Sequence, residues 1–502
     1  MQATCPSLSV PVCLNQLTLL TNNHSSSSFT LSLSPGGYMA NMRVGSSVVR
    51  ATNNHVRRTG NVTIIRSSQA ASVVAPGSQQ QWFSRDSTVS GMKGGVWNMV
   101  FSGVQGAPAD HCSNTGGDPV TVVEETPTIS EKPYITIGAD GKFSIQVPPV
   151  KTESSGADFP AHGSGNSTAS VGTAIPFDNV YVTKPGDTAV QINAKLAEGL
   201  SCVVTPAIYQ LSEPLVLNHS GQVLLGLGLA TLVSSNQNPV VKVGDVDAVR
   251  VAGLLLQAGP PGTAGSNAST LLEWGSTAGY AGNPKAPGLI QDVFARVGGP
   301  DGTATSPVAV NTMVHVRSGN VIGDNLWLWR ADHAEGAPVT YTSNRCDHGL
   351  VVDGDDVSFY GLAVEHTLQD LTVWNGERGQ TIFYQSELPY GVSQAQFGTP
   401  GYAGYRVAPH VMAHSAWGVA VYCFFRDYNV TVASGIVVPP ALEHKFVAPL
   451  SVILNGNGGI SHVINDKGGS SMNGSSTGIV NYVCEGVKET KTAKNVNVLI
   501  QK

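Results

Sequence analysis

Apolar residues in this chain fall into short blocks rich in Val, Ile, Leu and aromatics, closed by Gly, Asn or Asp. Val223–Val233, Met313–Val321, Leu326–Arg330, Gly349–Val352, Val357–Val364, Thr381–Gln385, Gly418–Phe425 and Val430–Val438 are examples. Blocks of this length, β-branched content and punctuation predict strands. Helical periodicity is confined to Thr188–Glu198, where positions 189, 192 and 196 are apolar and Asp187 stands as a candidate N-cap. Pro133–Val150 alternates on both sides of Asp140-Gly141 and predicts a hairpin with a type I′ turn.

The blocks distinguish among β architectures. In 349–366 (GLVVDGDDVSFYGLAVEH) two strands meet at a tight polar corner and a third begins at once. A sandwich would alternate apolar and polar positions cleanly. Blocks apolar on one half that run into Gly-Asp or Asn-Gly corners instead predict coils stacked on one another. The expected fold is all-β: a right-handed parallel β-helix of the pectin-lyase-like solenoid type, with the single helix covering an open end. The expected layout is a targeting or disordered segment over 1–35, a partial N-terminal β region over 36–158, a linker over 159–176 and the β-helix over 177–502. Residues 45–74 look foreign in composition, which fits an insertion or mistranslated stretch and equally a genuine basic loop.

Composition narrows the classes. Only 12% of the 502 residues are charged, 41% are hydrophobic, and Gly (57) and Pro (29) are abundant. Coiled coil, collagen and disorder are excluded, and a turn-rich β protein remains. A net charge of −6 without a basic stripe argues against nucleic acid. No apolar run reaches the ~18 residues of a membrane span. The seven cysteines include no CxxC pair, so a metal site or dense disulfide scaffold is not expected; the count leaves room for one or two bridges with at least one thiol unpaired. The first acidic residue is Asp86, and the Ser-rich, acid-free region before it fits a targeting segment. Seven N-x-S/T sequons, at Asn23, Asn61, Asn166, Asn218, Asn267, Asn429 and Asn473, are compatible with secretion.

Two glutamates carry candidate chemistry. Glu365 and Glu387 are 387 − 365 = 22 residues apart, close to one coil. One coil apart, they occupy equivalent places on adjacent rungs ~4.8 Å apart. Like charges that close raise the pKa of one partner, which gives a carboxylic acid able to protonate a glycosidic oxygen. Spacing alone also fits two solvated corner residues.

The sequences around them add to this. LWLWRADH (326–333), GLAVEH (361–366), YQSELPY (384–390) and AWGVAVY (416–422), in this order, resemble glycoside hydrolase family 55. KPY (132–134), the stretch Asp187–Leu211 and LLGLGLATL (224–232) extend the likeness. The resemblance implies β-1,3-glucanase activity on paired β-helices, with Glu387 as general acid of an inverting displacement. It implies that Glu365 tunes the acid or holds water, and that Asp332 and His333 lie near the cleft floor. His366, Tyr390 and Gln385 are candidate sugar contacts, and packing is the competing reading for His366 and Tyr390. Trp327 and Trp329 are expected in the core. The chain departs from the family in having His366-Thr367 where paired His is usual, and in a short N-terminal part. Adjacent-rung carboxylates also sit near the ~5 Å spacing of retaining enzymes, whereas inversion goes with ~6.5–9.5 Å.

The expected partner is therefore a polysaccharide or oligosaccharide, with no cofactor, and the expected state is an extracellular or wall-associated monomer. The alternative is a catalytically silent carbohydrate-binding β-helix. A lyase is disfavoured, because the one dense acidic cluster, Asp353-Asp355-Asp356, reads as a turn.

Overall fold

The computed structural model describes residues 81–484 except 90, 94–95, 113–118, 158–171, 261–267, 277–278, 301–306, 335–336 and 474–478. Outside that span it describes only short strand segments, so the expected 1–35 segment and the 45–74 stretch lie largely outside the described residues. Two compact units result: one built mainly from residues up to Thr128, the other from Ile129–Lys151 and Ser170–Asn495.

In the first unit, Gln81–Arg85, Asn98–Ser102 and Val120–Val123 stack as parallel rungs. Trp82, Phe83, Val100 and Phe101 are buried there. Ser154 donates to the Asp86 carboxylate at 2.9 Å and ties a later segment to these rungs.

The second unit is a parallel β-helix. From Val180–Val182 to Leu450–Ile464 its strands pair in parallel with the strand one coil later, alternating between walls of one continuous sheet, and Ile479–Val483 then pairs antiparallel to the last rung. One wall runs through Arg250–Gln257, Gly288–Val297, Val321–Arg330, Ser358–Glu365, Gly379–Glu387, His414–Val437 and Leu450–Ile464. A single continuous core fills the coil, from Ile192 of the helix to Ile464.

Each rung of that wall bends at the same place. Gly253, Asp292, Asn325, Gly361, Phe383 and Gly418 stack in register, and all have φ between 51° and 69°. Left-handed backbone is ordinary for Gly and tolerated by Asn and Asp, but it is strained for Phe383. Asn325 donates to Asp292 at 2.8 Å, and Asp292 forms a buried ion pair with Lys132 at 2.7 Å. The KPY lysine is thus spent on holding the bend.

The helix, Ala189–Ala197, buries Ala189, Ile192 and Leu196, the three positions its periodicity marked. Its cap differs from expectation. Thr188 is the N-cap and forms a capping box with Gln191. Asp187 instead accepts from the Lys184 N–H and the Tyr181 hydroxyl, both at 2.7 Å.

The hairpin pairs Tyr134–Ile137 with Phe143–Val147 and packs Ile145 onto Val203, Val223 and Ala252 of the β-helix. Its turn is not type I′. Gly141 has φ 79°, Asp140 is not left-handed, and Gly138 bonds Lys142 around a three-residue loop. This is a type I turn closed by a glycine bulge; the Asp140 carboxylate accepts from the Lys142 N–H and needs no positive φ of its own.

Cys112 and Cys484 each take part in a disulfide, whereas Cys202, Cys346 and Cys423 are free and buried. The Asp353-Asp355-Asp356 cluster is a corner whose carboxylates bind Asn375, Glu377 N–H and Arg378 one coil later. No described helix is long and apolar enough to cross a membrane.

Candidate active site

The residue four places after each stacked bend forms a second column. In register it runs Gln257, Arg296, Trp329, Glu365, Glu387, Tyr422. On either side of the column residues, Leu328, Val364 and Val421 point into the solenoid core. Alternation along a strand therefore turns the column outward. The rung register places Glu365 directly against Glu387. Both are nearly inaccessible, at 4% and 2% exposure.

Burial first, and the Glu387 charge second, push the Glu365 carboxyl well above its ordinary range. The Trp327 indole and Gln385 amide oppose this by favouring the ionised form. Two carboxylates so placed cannot both ionise near neutral pH, so the pair retains one proton and titrates as a unit. Tyr390 donates its hydroxyl hydrogen to Glu387 Oε2. The phenol is held well above its ordinary range, first by burial and then by Glu387, and stays a donor.

His366 follows Glu365 with φ 64°, a left-handed turn that closes the rung. Its N–H bonds the Glu387 carbonyl at 2.7 Å and its Nδ1 the Leu388 carbonyl at 3.3 Å. Its ring meets Tyr390 edge-on at 4.4 Å. Burial lowers its pKa to about 4, so it is neutral beside the acids. Asp332 behaves in the opposite way: burial opposes its ionisation, but the His333 hydrogen bond at 2.9 Å and nearby imidazoles lower it to about 2. Asp332, His366 and Tyr390 border one crevice with Arg330, Tyr341 and Arg426.

Five of the residues marked from sequence, Glu365, Glu387, His366, Tyr390 and Gln385, thus come together at the rung ends. Asp332 lies at the crevice, and the exposed His333 beside it sets its ring at a tilt against Trp329, 5.4 Å between centroids. The expectation that Trp327 and Trp329 are core holds for the burial of Trp329, at 9% exposure, but not for Trp327 or for the face that either takes. Leu326 and Leu328 fill the interior, and the two indoles stack outside it at 5.3 Å, Trp327 only half-buried. Two apolar neighbours on alternate positions look alike on either face of a strand; only Glu365, in register with Trp329, marks theirs as the outer one. Arg330, Tyr341 and Arg426 were missed, because none belongs to a charge pattern visible along the chain.

The buried imidazoles predict a pH dependence of stability. His366 and His414 have folded pKa values lowered to about 4 and about 3, in both cases by burial, from 6.5. Below pH 6.5 the unfolded chain therefore binds protons that the folded chain refuses. Their contribution is complete above 6.5 and declines as pH falls toward 4 and then 3, on the order of 3 kcal/mol for His366 alone. Glu365, raised on folding, contributes with the opposite sign and loses its share as pH rises. Thermal melts from pH 7 to pH 3.5 should show a falling midpoint that His414→Phe flattens.

Comparison with known proteins decides the family. The LAM55 pectate lyase-like domain model matches residues 180–387 and ends on Glu387. The sacteLam55A structure from Streptomyces sp. SirexAA-E superposes with a TM-score of 0.80 at 37% identity, over 91% of this chain and 79% of that one. The chain belongs to glycoside hydrolase family 55. A second family 55 structure, a glutamate-to-alanine variant of sacteLam55A in complex with glucose, superposes with a TM-score of 0.79, also at 37% identity over 91% and 79% of the two chains. An exo-beta-1,3-glucanase of Streptomyces sp. (strain SirexAA-E / ActE) is 42% identical over 400 residues, 79% of this chain. The chain spans 62% of that curated relative's length. The family motifs around 326–333, 361–366 and 384–390 all fall on the wall that carries the buried acid pair.

Proposed function

We propose that this protein hydrolyses β-1,3-glucan, with Glu387 as the general acid. The observation that carries the reading is the buried, in-register Glu365–Glu387 pair, with the Glu365 carboxyl pushed well above its ordinary range by burial and by Glu387. Protonation of the departing glycosidic oxygen needs a carboxyl that keeps its proton near neutral pH, and the pair supplies it. Tyr390 fixes one Glu387 oxygen and so orients the acid. Glu365 tunes the proton rather than attacking the sugar, so the separation rule that equates ~5 Å with retention does not govern this pair. Asp332, held ionised, and the outward Trp327–Trp329 face offer a hydroxyl acceptor and an apolar surface for pyranose C–H groups. Hydrolysis in this manner inverts the anomeric centre and needs no cofactor. The test is proton NMR of laminarin during digestion: α-anomeric glucose units should appear first and then mutarotate. Absence of sugar release would overturn the reading.

The shared proton also sets the pH–rate profile. Loss of that proton removes the acid, so turnover should fall on an alkaline limb above the ordinary carboxylate range. Glu365→Gln removes the like charge, and the Glu387 acid then titrates lower. The limb should move toward acid, with turnover reduced at pH 7; an unmoved limb would count against coupling.

The disulfide-bonded Cys112 and Cys484 support an oxidising, extracellular setting for the protein. A monomer that meets its polysaccharide outside the cell completes the reading.

A further inference from the structure

Arg330 is nearly fully buried, at 4% exposure, yet among the described residues its guanidinium binds no carboxylate in a hydrogen bond. It donates to three backbone carbonyls: Nε to Asn344 at 2.6 Å, Nη2 to Thr340 at 2.7 Å and Nη1 to His366 at 3.3 Å. Burying a charge in this way is costly, and an apolar side chain would fill the space more cheaply. The arrangement therefore asks for a purpose beyond stability.

The geometry supplies one. Two of the three carbonyls belong to the 340–344 loop, and the third belongs to the residue directly after Glu365. That residue, His366, is held in left-handed backbone that a non-glycine residue leaves readily. From it, contacts reach the Glu387 rung three times: N–H to the Glu387 carbonyl, Nδ1 to Leu388, and ring to Tyr390, which holds Glu387 Oε2. We propose that Arg330 is a positioning residue for hydrolysis: by clamping the His366 carbonyl it fixes the turn that sets Glu365 and Glu387 against each other. Without the clamp, the turn relaxes toward ordinary backbone, and both carboxyl groups lose their registration. A planar fork reaching three acceptors is something Arg does and Lys does not.

This inference rests on the function proposed above, and its test separates the two. Arg330→Lys keeps the charge and most of the volume but leaves at least one carbonyl unbound. With folding checked by circular dichroism and melting, kcat on laminari-oligosaccharides should fall about 10²-fold, the loss typical of reacting groups displaced by ~1 Å. KM should stay within about threefold, and the alkaline limb of the pH–rate profile should shift, because the spacing of the acids has changed. A mere staple of the 340–344 loop would alter melting or KM and leave that limb in place.

A second variant guards against misfolding. Asn accepts left-handed backbone, so in a His366→Asn background the turn needs less clamping and Arg330→Lys should cost several-fold less. Wild-type kcat and pH profile in folded Arg330→Lys, or an equal loss in both backgrounds, overturns the inference. If Glu387→Gln also keeps full turnover, the proposed function fails with it; if Glu387→Gln is inactive while Arg330→Lys is not, only the positioning role falls.

Discussion

Glu387→Gln should lower the turnover of laminarin by about 10²–10⁴-fold, the range for loss of a positioned general acid. The amide matches the carboxyl in size and still offers an oxygen to the Tyr390 hydroxyl, so the local hydrogen bond survives. What disappears is the transferable proton. The pair shares one proton, so the site carries one negative charge before and after the change, and no buried charge loses a counter-charge. Melting temperature should therefore hold while activity collapses. This opposition separates a catalytic loss from a folding loss in one pair of measurements. Full turnover by the folded variant would remove Glu387 from the mechanism.

Trp374→Ala should be the most damaging single change to the fold, lowering stability by about 3–5 kcal/mol. Trp374 is fully buried in the coil interior and packs against Phe359 at 6.0 Å, Tyr405 at 6.4 Å and His414 at 4.8 Å. These residues belong to different rungs, so the cavity would open across the stack instead of within one strand. Among the described residues its indole N–H has no hydrogen-bond acceptor. Trp374→Phe discards that orphaned donor and keeps most of the ring, so it should cost under ~1.5 kcal/mol. Urea midpoints of the two variants check the prediction, and equal midpoints would refute it.

The parallel β-helix was legible in the sequence because its cause is local. Every coil needs apolar strand positions and a tight polar corner, and both repeat along the chain, as in 349–366. The acid pair was legible for a related reason: a spacing of one coil becomes a lateral contact once rungs stack, and Glu365 pairs with Glu387 in register. What escaped depends on which face a strand shows and on contacts across coils. Trp327 and Trp329 differ from core residues only in the direction they point. Arg330 earns its place through carbonyls at 340, 344 and 366, and a carbonyl has no letter in a sequence. The helix cap was missed by one residue because Asp187 and Thr188 are both good caps, and Tyr181, a tertiary partner, claimed the Asp.

The stacked left-handed bend has a consequence for how such a surface changes over time. Since Gly253, Asp292, Asn325, Gly361, Phe383 and Gly418 turn the chain at the same point, the residue four places on always arrives at the same outward position. The backbone keeps the address, and the side chain is free to vary. A row reading Gln, Arg, Trp, Glu, Glu, Tyr can be rewritten one rung at a time, without moving its neighbours, so long as the bend beneath each rung is kept. Chemistry on this wall is in that sense modular: a carboxylate could be shifted one rung along by exchanging two letters, and the solenoid would present it in the same orientation ~4.8 Å away.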